Sequence, residues 1–131
     1  MANIITKPKV DIAADLLDQL KEVVAEQGQV VVHCVFRDSY GGSWIRIWSS
    51  TFLFDHFSDH RSTLVHAERI TLYPQWTITR QGDNFFTLIF TGLPDNCAMF
   101  DLVEDCNGSN GAFEVMNIHR NSSDVYYVQF G

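Results

Sequence analysis

Apolar residues near the start of the chain recur at intervals of three and four positions. These residues are Ile12, Leu16, Leu17, Leu20, Val23 and Val24. Because this spacing places side chains on one face of a helix, we predict an amphipathic α-helix over residues 11–27. Asp11 is suited to cap its first turn, and Gly28 is suited to end it. Residues 1–9 are predicted to form a flexible N-terminal arm.

From Val30 onward the pattern changes to short apolar runs and alternating apolar and polar residues, separated by turns rich in Gly, Ser, Asn and Asp. The predicted strands cover residues 30–36, 44–54, 63–73, 75–80, 85–91, 98–104, 113–119 and 125–130. About eight strands at a spacing of roughly 10–13 residues are typical of a sandwich or a related all-β fold. We therefore predict an all-β, antiparallel β-sandwich or jelly roll. Residues 10–131 would form a single domain that includes the helix.

The second half of the chain carries several short motifs. They are Phe86/Leu88/Phe90, Leu93-Pro94, Phe100/Asp101/Leu102/Glu104, Asn117/Ile118/Arg120/Asn121 and Asp124/Val125/Tyr126. Together they resemble the pattern of small, mostly uncharacterised bacterial β-sandwich proteins. The resemblance implies the same fold for this half of the chain. It implies no catalytic residue, because that group has no established catalytic role.

Composition and charge narrow the classes of partner. Of the 131 residues, 46% are hydrophobic and 19% charged, a composition typical of one globular domain. The formal net charge is -7, with only nine Lys and Arg residues spread along the chain. Nucleic acids and anionic membranes bind clustered basic residues, so we predict neither as a partner. No apolar run is long enough to span a bilayer.

The three cysteines indicate a reducing compartment. Cys34, Cys97 and Cys106 are odd in number, and none belongs to a Cys-x-x-Cys pair. They form a poor disulfide framework and a poor zinc signature, so we expect buried free thiols. The first residues also lack the apolar core of a secretion signal. These observations predict a cytoplasmic protein.

One candidate site is a set of imidazole and carboxylate side chains. His56 and His60 lie in a polar loop, and His66 and Glu68 point to one face of the following strand if it is regular. This ligand set suits a divalent transition metal, which is the one cofactor that we consider. The spacing fits no known metal motif, and a solvated polar loop is the simpler interpretation.

A second candidate site is aromatic. Trp44, Arg46 and Trp48 share one face of a regular strand, and Trp76 is the third tryptophan of the chain. Tryptophan rings beside an arginine can stack on a ligand or on the guanidinium itself, and both residue types anchor interfaces. The alternative is that the rings fill the core, with Arg46 reaching solvent.

No catalytic constellation is visible in the sequence, so we expect no enzyme. Our main hypothesis is a non-enzymatic binding module that self-associates or binds a protein partner, through Trp44, Arg46 and Trp48. The alternative is a jelly-roll protein, possibly an enzyme, that binds a metal or small molecule through His56, His60, His66 and Glu68.

Overall fold

The computed structural model describes the backbone of residues 3–4, and residues 28–106 and 112–130 with their side chains. The only regular secondary structure in the described residues is β-strand. The strands are β1 (Asn3–Ile4), β2 (Val30–Asp38), β3 (Trp44–Ile45), β4 (Thr51–Asp55), β5 (Arg61–Glu68), β6 (Thr77–Ile78), β7 (Gly82–Phe90), β8 (Met99–Glu104), β9 (Glu114–His119) and β10 (Val125–Phe130). This confirms the all-β fold class.

Eight of these strands form one sheet in the order β1-β10-β2-β7-β5-β4-β8-β9, and β3 pairs with β6 in a separate two-stranded sheet. Strands β1 and β9, at the two ends of this order, also come into contact, so the large sheet nearly closes on itself. The predicted antiparallel arrangement is wrong at one pair, because β10 runs parallel to β2 and the sheet is therefore mixed. The eight strands form one nearly closed sheet instead of the two separate facing sheets of a sandwich. Strand pairing depends on contacts between distant residues, which the local alternation of side chains does not encode.

The core lies inside the curved sheet. Its largest side chains include Phe86, Phe90, Phe100, Leu53 and Leu102, all almost fully buried. In β8, buried residues alternate with partly exposed ones, as expected for a strand with one face on the core. This alternation is the pattern from which the strand was predicted.

The central strands are buried on both faces. Val30, Val32 and Cys34 belong to the main core, whereas Val31 packs with Ile89 and Val125 in a second cluster. A strand covered on both faces reads as a continuous apolar run instead of an alternating one. This burial explains the run of six buried residues that begins β2.

Two predicted strands are interrupted. The expected strand 44–54 divides into β3 and β4, because residues 49 and 50 form a turn in which the Thr51 hydroxyl donates to the Trp48 carbonyl at 2.6 Å. The expected strand 63–73 ends at Glu68, and Arg69 follows it with φ at 63°. The first break separates β3 of the small sheet from β4 of the large sheet, and the second lies between β5 of the large sheet and the residues that lead to β6.

The predicted helix over residues 11–27 lies outside the described residues, as does most of the predicted arm. Asn3 and Ile4 of that arm form β1, which pairs with β10 in the antiparallel sense. Within the described ranges, no helix has the length and apolar character needed to cross a membrane.

Candidate functional site

Strands β3 and β6 carry exposed apolar side chains on their outer face. Trp44 lies opposite Ile78, and Ile45 lies opposite Thr77. Ile45 is buried towards the main sheet, whereas Trp44 is 58% exposed and Ile78 63% exposed. Trp76, two positions before Ile78, is 45% exposed, and its ring packs edge-on against Trp44 at 6.0 Å between centroids. The two-stranded sheet therefore presents large apolar groups to solvent.

Arg46 lies among three aromatic rings. Its guanidinium carbon is 3.7 Å from the ring centroid of Trp76, 4.5 Å from that of Tyr73 and 5.8 Å from that of Trp48. The Trp48 and Tyr73 rings stack with centroids 4.0 Å apart. Each ring face attracts the cation, so Arg46 joins residues that are distant in the sequence. We call Trp44, Arg46, Tyr73, Trp76 and Ile78 the aromatic surface.

The buried Asp38 fixes the turn that leads into β3. Its carboxylate accepts hydrogen bonds from the Thr79 hydroxyl at 2.6 Å and from the backbone N–H groups of Tyr40, Gly41 and Ser43 at 3.0–3.3 Å. These donors favour the charged form, with Thr79 contributing most, and they hold the pKa of Asp38 well below its usual range. Because Thr79 follows β6, this carboxylate ties the two sides of the small sheet together.

Gly41 allows the same turn to lie close to the chain that follows β6. Its φ is 77°, and a Cβ atom there would lie 2.8 Å from the backbone nitrogen of Gln81. Both the dihedral angle and the close approach favour glycine. The backbone is closed further by Gly42 N–H donating to the Thr79 carbonyl at 3.0 Å, and Thr79 N–H donating to the Ser43 carbonyl at 2.8 Å.

A cleft of about 320 Å³ adjoins the aromatic surface. Its lining includes Trp44, Arg46, Trp48, Trp76 and Glu104. The buried Glu104 carboxylate accepts hydrogen bonds from the backbone N–H groups of Trp48 at 2.9 Å and Phe113 at 3.1 Å. Burial raises the pKa of Glu104, and these two hydrogen bonds and the positive charge of Arg46 oppose that rise. The cleft thus combines aromatic walls with one cation and one buried acid.

The histidines of the predicted metal set have separate partners. His56 Nε2 lies 2.6 Å from an Asp101 carboxylate oxygen, which also accepts a hydrogen bond from the Asn117 backbone N–H at 2.7 Å. His60 Nε2 lies 3.0 Å from the Ser62 hydroxyl and 3.1 Å from the Gly92 carbonyl oxygen. These contacts join the loop between β4 and β5 to β8 and to the residues after β7.

His66 and Glu68 do come together. His66 Nε2 lies 2.5 Å from a Glu68 carboxylate oxygen on the exposed face of β5, as the alternation of side chains predicts. His60, which precedes β5, lies at the opposite end of the strand from Glu68. Among residues 28–106 and 112–130, no group of three or more His, Cys, Asp or Glu side chains is arranged to hold a metal ion. The four predicted ligands do not form one site.

The three cysteines are buried and form no disulfide, as predicted. Burial raises the pKa of the Cys34 thiol well above its usual value. It also raises the pKa of the Cys97 thiol, and the nearby Asp55 carboxylate adds to this rise. A thiol with a raised pKa contains little thiolate at neutral pH and is therefore a weak nucleophile.

No protein-family model, curated protein or solved structure matches this chain. The resemblance of its second half to small bacterial β-sandwich proteins therefore stays a prediction.

The candidate site rests on the geometry alone. The structure brings Trp44, Arg46 and Trp48 together in one region and adds Trp76 and Tyr73 to them. The contribution of Tyr73 was missed in the sequence, although its position next to Pro74 and close to Trp76 was a signal that aromatic residues gather at a chain reversal.

Proposed function

We propose that this chain is a non-enzymatic interaction module, and that a second copy of the chain binds at the aromatic surface. The observation that carries the proposal is the exposure of Trp44, Trp76 and Ile78 side by side on one small sheet. Tryptophan is prominent among the residues that dominate binding energy at interfaces, and contiguous exposed apolar groups are uncommon on proteins that stay monomeric.

The aromatic surface is ordered before binding. Arg46 is held by the faces of Trp76 and Tyr73, and its Nη1 also donates to the Pro74 carbonyl at 3.4 Å. Side chains that are already fixed lose little rotamer freedom when a partner covers them. This order supports a binding role for the surface and a smaller entropic cost of association.

Charge favours this face for contact between copies. The chain carries a net charge of -7, so two copies repel each other over most of their surfaces. The aromatic surface carries Arg46, a cation that attracts carboxylates of the second copy. The neighbouring cleft of about 320 Å³, with walls formed by Trp44, Trp48 and Trp76, has room for an inserted apolar side chain.

The proposal is tested by native mass spectrometry of the untagged full chain over a range of concentrations. We expect an oligomer for the wild type and a shift towards monomer for Trp76→Ala. Ile78→Ser is a second, milder variant that removes only an exposed side chain. Phe57→Ala is the matched control, because Phe57 is 72% exposed but lies in the loop between β4 and β5.

Two results would overturn the proposal. One is a wild type that stays monomeric at every concentration. The other is an oligomer that Phe57→Ala disrupts as much as Trp76→Ala and Ile78→Ser do. Circular dichroism of each variant establishes that it is folded.

We also infer a cytoplasmic location. Its support is the state of Cys34, Cys97 and Cys106, which are buried and form no disulfide. Free thiols in a small domain are typical of a reducing compartment. Fractionation of cells that express the untagged chain tests this inference, which recovery from a secreted fraction would contradict.

A further inference from the structure

A second cleft, of about 430 Å³, lies beside β3 and β6 and shares Ile45 with the first cleft. Its lining includes Arg69, Arg80, Ile45, Ile78 and Phe86. We propose that this cleft binds a small organic carboxylate with an apolar body, and that Arg69 and Arg80 hold the carboxylate. The volume is within the range of about 300–1,000 Å³ found for small-molecule sites.

Most polar side chains of the cleft are already engaged within the protein. Asp83 accepts a hydrogen bond from Arg37 Nε at 2.9 Å, and this ion pair offsets the negative charge that would repel an anion. The Asn84 side chain accepts from the Arg80 backbone N–H and donates to the Arg80 carbonyl, both at 2.9 Å. The Thr77 hydroxyl accepts from the Thr71 backbone N–H at 3.1 Å.

The two arginines that line the cleft are the exception. Both residues are exposed, and within the described residues neither guanidinium has an ion-pair partner or a hydrogen-bond acceptor. By contrast, Arg37 and Arg120 are each paired with an aspartate. A guanidinium offers five N–H donors in a planar fork that matches a carboxylate. Arg69 and Arg80 are therefore the donors that remain for a ligand.

The backbone at Arg69 supports the same assignment. Its φ of 63° lies in the left-handed region, which few residues other than glycine adopt. Strained positions of this kind concentrate at functional sites. The conformation occurs where β5 ends, at the edge of the cleft.

The apolar side chains that line the cleft favour a ligand with a large apolar part. Ile45 and Phe86 are buried residues of the main core, and Ile78 is exposed at the opening. These groups gain nothing from a small hydrated ion, but they bury the apolar surface of an organic anion. The charge and the apolar area together predict a carboxylate attached to a ring or an aliphatic chain.

The test is a titration of the ¹⁵N-labelled full chain with 2-naphthoate, followed by chemical shifts in NMR. We expect saturable shifts at residues around the cleft. Because each substitution removes a charged donor that pairs with the carboxylate, Arg69→Gln and Arg80→Gln should each weaken binding by about fivefold or more. Arg61→Gln is the matched control, because Arg61 is exposed at the start of β5 and does not line the cleft.

Two further probes separate the contributions of charge and apolar area. The uncharged 2-naphthamide should bind much more weakly than 2-naphthoate if the arginines recognise the carboxylate. Inorganic phosphate should also bind more weakly, because it has no apolar body. Equal binding of either probe, an equal effect of Arg61→Gln, or no saturable binding of 2-naphthoate would overturn the proposal.

This proposal does not depend on self-association. Trp76 does not line the second cleft. A folded Trp76→Ala monomer should therefore bind 2-naphthoate as the wild type does. If that variant is monomeric but binds normally, both proposals are supported; if 2-naphthoate fails to bind to it and to the wild type, only the carboxylate site is lost.

Discussion

The guanidinium of Arg46 lies over the ring of Trp76, 3.7 Å from the ring centroid, although thirty residues separate them in the chain. Tyr73 covers the same cation at 4.5 Å. The contact links the residue that follows β3 to the residue before β6, and it leaves Trp76 partly exposed. Arg46 therefore both organises the aromatic surface and belongs to it.

Replacing Arg46 with lysine is expected to weaken self-association. An ammonium keeps the charge but loses the planar stacking on Trp76 and Tyr73, so the rings are held less firmly. A cation–π contact contributes about 0.5–2 kcal/mol, which corresponds to a change of roughly 2- to 30-fold in the dissociation constant. Sedimentation equilibrium of Arg46→Lys measures this change.

Arg61→Lys is the matched control for that experiment. Arg61 lies 4.4 Å from the ring centroid of Phe52, away from the aromatic surface. The substitution Arg61→Lys should therefore leave self-association unchanged. Equal weakening by the two substitutions would show that the effect of Arg46→Lys is not specific to the aromatic surface.

Glu104 predicts a pH dependence of stability. Burial raises its pKa from the ordinary value of 4.5. The folded state therefore binds the proton of the Glu104 carboxyl more tightly than the unfolded state does. The stability that this proton contributes is fully present below pH 4.5 and is lost as pH rises through the pKa of the folded state. Glu104→Gln has no proton to lose. We expect the unfolding free energy of the wild type, relative to Glu104→Gln, to fall as pH rises above 4.5.

Urea unfolding of both proteins between about pH 4 and pH 8 measures this difference. Glu114→Gln is a control, because Glu114 is an exposed acid at the start of β9. A relative unfolding free energy that rises with pH would contradict the assigned effect of burial on Glu104.

Asp38 predicts the opposite pH dependence. The hydrogen bond from Thr79, followed by those from the backbone N–H groups of the turn, lowers its pKa below the ordinary 3.8. The stability that it contributes is present above pH 3.8 and is lost as pH falls through the folded pKa. Asp38→Asn should lower the urea midpoint at neutral pH, and the difference from wild type should shrink in acid.

Asp59→Asn is the control for Asp38, since Asp59 is exposed in the loop between β4 and β5. It should unfold like the wild type across the same pH range. Because Asp38 fixes the turn that leads into β3, Asp38→Asn should also weaken self-association. Unchanged self-association would show that the aromatic surface forms without this turn.

The strands could be predicted where the alternation of apolar and polar residues within the strand itself indicates them. Strand β10 has the predicted bounds, and β8 and β9 each begin one residue later than predicted. Burial alternates along β8 and along β10 after its first residue, so these strands carry local evidence of their own. The parallel pairing of β10 with β2 could not be predicted in this way, because it depends on contacts between residues more than ninety positions apart.

The candidate sites likewise contain contacts that local spacing predicts and contacts that depend on how distant strands pair. Trp44, Arg46 and Trp48 line one cleft, as their two-residue spacing indicates, and their role in binding stays a prediction. The contacts of Arg46 with Tyr73 and Trp76 depend on how two short strands pair, which no local pattern reports. The contacts of His56 with Asp101 and of His60 with Gly92 are equally long-range, and they separate side chains that are close in the sequence.

Arg120 connects several residues of the short motifs in the second half of the chain. Its guanidinium contacts both carboxylate oxygens of Asp124, at 2.5 Å and 2.9 Å, and it donates to the carbonyls of Pro94 at 2.8 Å and Cys97 at 3.3 Å. The Tyr126 hydroxyl donates to the same aspartate at 3.0 Å. These residues hold the corner after β7 against the turn before β10, so their role is structural.

Arg120→Lys is therefore expected to destabilise the fold. An ammonium cannot make the paired contact with Asp124 and reach both carbonyls at once. Since these side chains are only 17% and 19% exposed, we expect a loss of about 1.5–3 kcal/mol in unfolding free energy. Arg37→Lys is the matched control, because Arg37 makes a single contact with Asp83 and is 49% exposed. Exposed ion pairs contribute less than about 1 kcal/mol, so equal losses in urea unfolding would contradict this role for Arg120.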